Sequence, residues 1–193
     1  MIHLEKKNYN IQEEKMEFKI IQNDQWAKIK KIYLEAFPKR ERKPFCVLRH
    51  SVKTGKAQIF TVSDQDTVIG FTVVIPYRDM VMVDYLAVSQ GIRSKGTGSY
   101  IMQKVCKQFS DRRILLLIER LDDQADNREQ RIARRKFYFK NGFSSSELFI
   151  KGASGDMEIL TFGGKVSPEE YLILQRYALG NLLFHLSKID FAA

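Results

Sequence analysis

The segment Arg93-Ser94-Lys95-Gly96-Thr97-Gly98 has the residue types of an anion site. It stands where an apolar run, VMVDYLAV, gives way to Ile101, Met102, Val105, Cys106 and Phe109 at helical spacing. A helix start offers unpaired N–H groups and the positive end of its dipole, and glycine lets an anion come close to the backbone. Arg93 and Lys95 add charge, and Thr97 and Ser99 add hydroxyl donors. The chemistry this suits is the grip of a pyrophosphate. The spacing is neither the GxxxxGK[ST] of nucleoside-triphosphate loops nor the GxGxxG of dinucleotide folds. Two glycines one residue apart also serve as a plain strand-to-helix turn.

Such a loop works only if a strand and a helix hold it, and the rest of the chain supplies both. After a polar lead-in to about Lys15, MEFKII reads as a strand. Asn23-Asp24 caps a helix with Trp26, Ile29, Ile32, Tyr33, Ala36 and Phe37 on one stripe, ended or bent at Pro38. A second short helix or irregular piece carries Phe45, Val47 and Leu48 and closes at the turn Thr54-Gly55. AQIFTVS and VIGFTVVIP form a hairpin across DQDT, and YRDM leads into VMVDYLAV, which makes an antiparallel meander.

Beyond the glycine loop, ILLLIE is short and apolar on both faces, as in a strand that joins a parallel pair through a right-handed crossover. RLDDQADN feeds a basic helix from Arg128 to Lys140, ended by Asn141-Gly142 in a left-handed C-cap. Phe143–Ile150 and Met157–Phe162 make a final hairpin across KGASGD. Ser167-Pro168-Glu169-Glu170 is a helix start with a capping box, and Leu172, Leu179, Leu182, Leu183 and Leu186 let a terminal helix pack on the domain. The expected division is one domain over residues 1–193, with 167–193 a helical appendage. The fold class is α/β: a mixed sheet with an antiparallel meander, a parallel strand pair and a C-terminal helix.

With 193 residues and 44% hydrophobic content, the chain has material for one sizeable core. Its formal charge of +9 suits a phosphate-bearing partner without choosing among nucleotide, nucleic acid and lipid surface. Cys46 and Cys106 sit in apolar runs without a CxxC partner, so no disulfide framework or thiolate metal site is expected. His3, His50 and His185 show neither metal-ligand spacing nor a hydrolytic triad, and no metal is expected. The first residues lack a signal-peptide pattern and no window approaches the roughly 20 apolar residues of a membrane span. A cytoplasmic protein without a membrane partner is the expectation.

The run LAVSQGIRSKGTGSYIMQKV resembles the acetyl-CoA motif of the GNAT superfamily of N-acetyltransferases, with Arg93, Gly96 and Gly98 at its defining positions. RRKFYFKNGF resembles the second signature of that family through Phe137, Tyr138, Asn141, Gly142 and Phe143. The resemblance spans about residues 17–162 in element order, and its sharp motifs lie within 86–143. It implies that the third meander strand and ILLLIE splay apart with the pantetheine arm of acetyl-CoA between them. Backbone groups of Leu86, Ala87 and Val88 would then meet the pantetheine amides, and the amides from Arg93 through Ser94, Lys95, Gly96, Thr97 and Gly98 to Ser99 would take the pyrophosphate.

Transfer from a thioester to an amine needs a neutral nucleophile, a proton acceptor, a polarised carbonyl and a proton for the departing thiolate. The resemblance makes Tyr138 the favoured general acid, with packing beside Phe137 and Phe139 as its alternative role. Glu119 is the first candidate for the base, and Asp84, Glu35 and Glu41 are weaker ones. Such a carboxylate must have a raised pKa or act through a water. An ion pair with Arg112, Arg113 or Arg120 is the other role for Glu119. Expected acceptors are a small-molecule or protein amine, and a homodimer is compatible with the sequence. A different class is a non-catalytic CoA-binding or nucleic-acid-binding module that uses helix 128–140, with nucleic acid the less favoured partner. Arg131 and Arg134 there occupy positions where many family members have asparagine and alanine.

Overall fold

A computed structural model describes residues 15–92, 96–152, 155–187 and 189–192. Its strands are β1 (Met16–Ile20), β2 (Gln58–Asp64), β3 (Thr67–Tyr77), β4 (Met80–Val88), β5 (Arg113–Glu119), β6 (Ser144–Gly152), β7 (Gly155–Phe162) and β8 (Asp190–Ala192). The helices are α1 (Trp26–Ala36), α2 (Phe45–Lys53), α3 (Thr97–Gln108), α4 (Arg128–Lys140), α5 (Pro168–Leu179) and α6 (Asn181–Ser187). The strands form one mixed sheet in the order β1-β2-β3-β4-β5-β7-β6-β8. The fold class read from the sequence is therefore the observed one. By contact density the chain divides into two compact units that share β3, β4 and α3.

The first unit holds the described residues up to Val74 together with Tyr85–Val105. β2 and β3 turn through Gln65 and Asp66, both at positive φ (44° and 64°), as a tight two-residue hairpin requires. The α1 stripe buries Ile29, Ile32 and Tyr33. Phe37 is extended, as a residue before proline prefers, so the helix ends there. The connection to α2 is held from below. The Tyr33 hydroxyl donates to the Lys43 carbonyl at 3.1 Å, and the Tyr85 hydroxyl donates to the Glu41 carbonyl at 3.0 Å while accepting from the Lys43 N–H at 3.1 Å. The Tyr100 hydroxyl donates to the Met16 carbonyl at 2.6 Å and ties α3 to β1.

The second unit holds Ile75–Asp84 and the chain from Cys106 onward. β4 and β5 pair in parallel from Met80↔Arg113 to Val83↔Leu116, where their register ends. The final hairpin enters with its second strand first, β7 lying against β5 and β6 outside it. Gly142, at φ +86°, supplies the left-handed stop of α4. Arg113 joins three elements of this unit. Its Nη2 reaches Asp79 Oδ2 at 2.6 Å and Glu170 Oε1 at 2.7 Å, and its Nη1 donates to the Lys165 carbonyl at 2.8 Å. That guanidinium, followed by the Ser167 N–H, holds the Glu170 carboxyl down to about 2. Ser167 and Glu170 also complete the capping box of α5.

The end of the chain differs from the single packed helix expected. Gly180, at φ +76°, breaks it into α5 and α6, and β8 then pairs with β6 at Phe149–Lys151. The break turns Leu182, Leu183 and Leu186 outward, and all three are exposed.

Candidate functional site

In the first unit the candidate residues follow one another along β4 and into α3. Ala87 is buried, and Leu86 and Val88 are half-buried. Ser89 N–H donates to the Ile69 carbonyl at 2.8 Å, which keeps the strand end on β3. Gly70 makes that approach feasible, because a Cβ there would stand 2.9 Å from the Ala87 carbonyl oxygen and 3.2 Å from Ile101 Cδ1. Sequence reading passed over Gly70, although a lone glycine inside an apolar strand signals close backbone approach.

Arg93, Ser94 and Lys95 lie outside the described residues. Gly96 has φ +85°, where a side chain would be strained, and its carbonyl accepts the Tyr100 N–H at 3.0 Å. Gly96 is thus the residue from which the 12-residue helix α3 starts. The amides of Thr97, Gly98 and Ser99 fall in its first turn, which lacks intrahelical acceptors. Thr97 is buried, and Gly98 and Ser99 are half-buried. A helix that starts at a glycine is a fitting seat for a diphosphate: positive dipole, donors on the backbone, and no Cβ at the entry.

In the second unit, Glu119 and Tyr138 are linked by α4. Glu119 is 13% exposed and accepts from Arg134 Nη1 at 2.9 Å, with Arg131 Nη2 3.6 Å away. The Asn127 amide lies 3.1 Å from both of its oxygens. Two ion-pair partners of Glu119, Arg131 and Arg134, thus come from the helix after it, further along the chain than the neighbouring Arg112, Arg113 and Arg120. Tyr138 is half-buried, with its ring 5.0 Å from Phe137 and 5.9 Å from Phe143. Burial pushes its phenol up to about 12, and the Arg134 charge opposes that rise. Its hydroxyl makes no hydrogen bond among the described residues. It is a neutral donor at any physiological pH. The weaker base candidates are dispersed: Glu35 is exposed on α1, Glu41 sits 3.7 Å from Arg40, and Asp84 is half-buried on β4.

The cations of α4 are largely committed. Arg128 meets Asp123 and Glu129, Arg131 and Arg134 meet Glu119, and Arg135 meets Glu158 at 3.0 Å. Glu158 is 4% exposed and was not singled out in the sequence, although a glutamate inside the apolar strand MEILTF needs a partner. Among the described residues no group of three or more metal-ligating side chains gathers, and no helix is long and apolar enough to cross a membrane.

Residues 55–145 match the family model of the acetyltransferase (GNAT) domain. No curated protein sequence matches the chain. Among solved structures, a GNAT-family acetyltransferase described as putative, from Bacteroides thetaiotaomicron, is 20% identical, with a TM-score of 0.69 over 87% of this chain and 98% of that one. The ribosomal-protein-S18-alanine N-acetyltransferase of Escherichia coli is 13% identical, with a TM-score of 0.61 over 80% and 97%. A GNAT acetyltransferase of Elizabethkingia anophelis, solved with acetyl-CoA bound, is also 13% identical, with a TM-score of 0.59 over 77% and 97%. At these identities the likeness is one of fold.

Proposed function

From the match of residues 55–145 to the acetyltransferase (GNAT) family model and the likeness of fold, we propose that the chain is a GNAT acetyltransferase that moves an acetyl group from acetyl-CoA to a primary amine by direct attack. The observation that carries this reading is the helix start at Gly96, φ +85°, eight residues beyond the end of β4 at Val88. Amides of Thr97, Gly98 and Ser99 take the pyrophosphate there, with Arg93, Ser94 and Lys95 leading into them. The edge of β4 at Leu86, Ala87 and Val88 receives the pantetheine arm.

The chemistry then balances without a covalent enzyme intermediate. An ammonium gives one proton to a carboxylate and becomes a nucleophile. The C–N bond forms as the C–S bond breaks, the nitrogen loses its second proton, and the thiolate takes one from Tyr138. Glu119 receives the first proton directly or through a water. Its oxygens already accept from Arg134 and Asn127, so this role requires Arg134, 39% exposed, to swing aside. Seated in this way, Glu119 also anchors the helix that carries Tyr138.

The test is release of CoA thiol from acetyl-CoA across a panel of amines: small alkylamines, polyamines, amino acids, aminoglycosides and peptides with free N-termini or lysines. Amine-dependent release with at least one class, matched by an acetylated product, is the expected outcome. Absence of release across the panel, together with salt-sensitive binding of DNA or RNA, would instead favour a binding module. The engagement of four α4 arginines by carboxylates speaks against that alternative. We take the acceptor to be a free or protein-borne amine met in the cytoplasm.

A further inference from the structure

The two guanidiniums beside Glu119 are held very differently. Arg131 is fixed: its Nε donates to Asn127 Oδ1 at 2.8 Å and its Nη1 to the Arg120 carbonyl at 2.8 Å, and its Nη2 stands 3.6 Å from Glu119 Oε1. Arg134 gives Glu119 one hydrogen bond, Nη1 to Oε2 at 2.9 Å, and makes no other among the described residues. Its side chain is 39% exposed, against 18% for Arg131. A guanidinium carries five N–H donors in a fork that matches a carboxylate, so most of this one is open to a ligand. Were Arg134 to leave, Asn127 and Arg131 would still hold the Glu119 carboxylate. All of these residues belong to the second unit.

Charge decides what can open the Glu119–Arg134 pair. Glu119 set against Arg131 and Arg134 leaves one positive charge over. A bare ammonium at Glu119 raises that excess and leaves the displaced guanidinium without a counter-charge. An acceptor that brings its own carboxylate leaves the excess as it was and gives Arg134 a new partner. A partly exposed ion pair holds together by about fivefold at most, whereas charge-assisted hydrogen bonds to the freed guanidinium are worth about tenfold or more. The exchange therefore runs downhill for a zwitterion. A phosphate dianion would call for a second open cation, and Arg131 is already engaged. We propose that the acceptor is a free α-amino acid, whose ammonium replaces Arg134 at Glu119 and whose carboxylate receives the released Arg134 guanidinium. This rests on the acetyltransferase reading above and names the acceptor of that reaction; the products are an N-acetyl amino acid and CoA. The swing of Arg134 that a basic Glu119 requires is then driven by the substrate itself. Tyr138, one turn beyond Arg134 on α4, shares its face, and the Arg134 charge is felt at the phenol. The amino acid is held on the side of α4 that carries the proton donor.

The test compares each common L-amino acid with its carboxamide, which keeps the amine and lacks the negative charge, by thiol release from acetyl-CoA with the full chain. At least one amino acid should exceed its carboxamide tenfold or more in kcat/KM. Arg134→Gln should bring that ratio to within threefold of unity through a rise in amino acid KM, and Arg134→Lys, which restores the charge, should recover part of it. Carboxamides or polyamines used as well as every amino acid by the wild-type chain overturn the inference and leave the acetyltransferase reading intact, and that comparison needs no variant to fold. An Arg134→Gln enzyme that loses acid and carboxamide turnover in equal proportion also overturns it, since that marks a structural role. A wild-type chain without thiol release on any amine overturns both.

Discussion

Tyr138→Phe is expected to lower kcat for acetyl transfer about 100-fold or more, within the range of 10²–10⁴ typical of general acid catalysis, while acetyl-CoA binding and Tm stay near wild type. Stability is spared because the hydroxyl has no hydrogen-bond partner among the described residues to lose. The effect falls on kcat because a departing thiolate needs a donor only as the C–S bond breaks. With the phenol at about 12 and a free thiol near 8.5, complete surrender of the proton would be uphill by about 5 kcal/mol at ~1.4 kcal/mol per unit. Tyr138 therefore acts chiefly by hydrogen bonding to the developing charge, and is resupplied as the product nitrogen deprotonates. A raised pKa also fixes the sign of the pH dependence. The phenol stays protonated until pH nears 12, so Tyr138 contributes no alkaline limb to kcat between pH 6 and 10. Pre-steady-state thiol release on both proteins checks this, and a Phe variant retaining kcat within threefold removes the role.

Arg135→Ala should destabilise the second unit by about 3 kcal/mol, near the lower end of the ~3–5 expected for orphaning a buried charge. The lower end applies because the guanidinium is 32% exposed while its partner Glu158 is 4% exposed. β7 lies between β5 and β6, and Glu158 pairs in register with Ile118 on one side and Phe149 on the other. Without Arg135 its carboxylate has neither water nor a counter-charge. Arg135 also covers Phe139 at 4.2 Å, a contact the truncation removes too. At about 2–4 °C per kcal/mol for a chain of this size, Tm should drop by roughly 6–12 °C. Adding Glu158→Gln should restore part of that loss, since a neutral amide tolerates burial better. A drop under 2 °C in the single variant would mean that the pair is not structurally important.

Much of this architecture was legible from residue pattern. The meander, the helix from the glycine loop and the strand ILLLIE all show alternation or helical period long enough to be decisive. The capping box at Ser167 and Glu170 and the C-cap at Gly142 were also readable, because each is a local hydrogen-bond device with its own residues. Two kinds of feature were not. Order within the sheet, with β7 between β5 and β6, depends on contacts far apart in sequence that no window contains. Partner choice was equally hidden: Glu119 stands next to Arg120 in the chain, yet takes Arg131 and Arg134 from the next helix. The broken C-terminal helix was missed because Leu182, Leu183 and Leu186 read as a packing stripe. Gly180, with φ +76°, redirects them after only one further element.

Thermal melting with and without acetyl-CoA reaches the premise most directly, because a ligand bound only by the folded chain stabilises it by about 2.7 kcal/mol at a hundredfold excess over Kd. At such an excess Tm should rise by roughly 5–11 °C, and Gly96→Val, which strains the helix start, should abolish the rise. No shift at millimolar acetyl-CoA, with the protein folded and cooperative in its melting, would contradict a diphosphate seat at the start of α3.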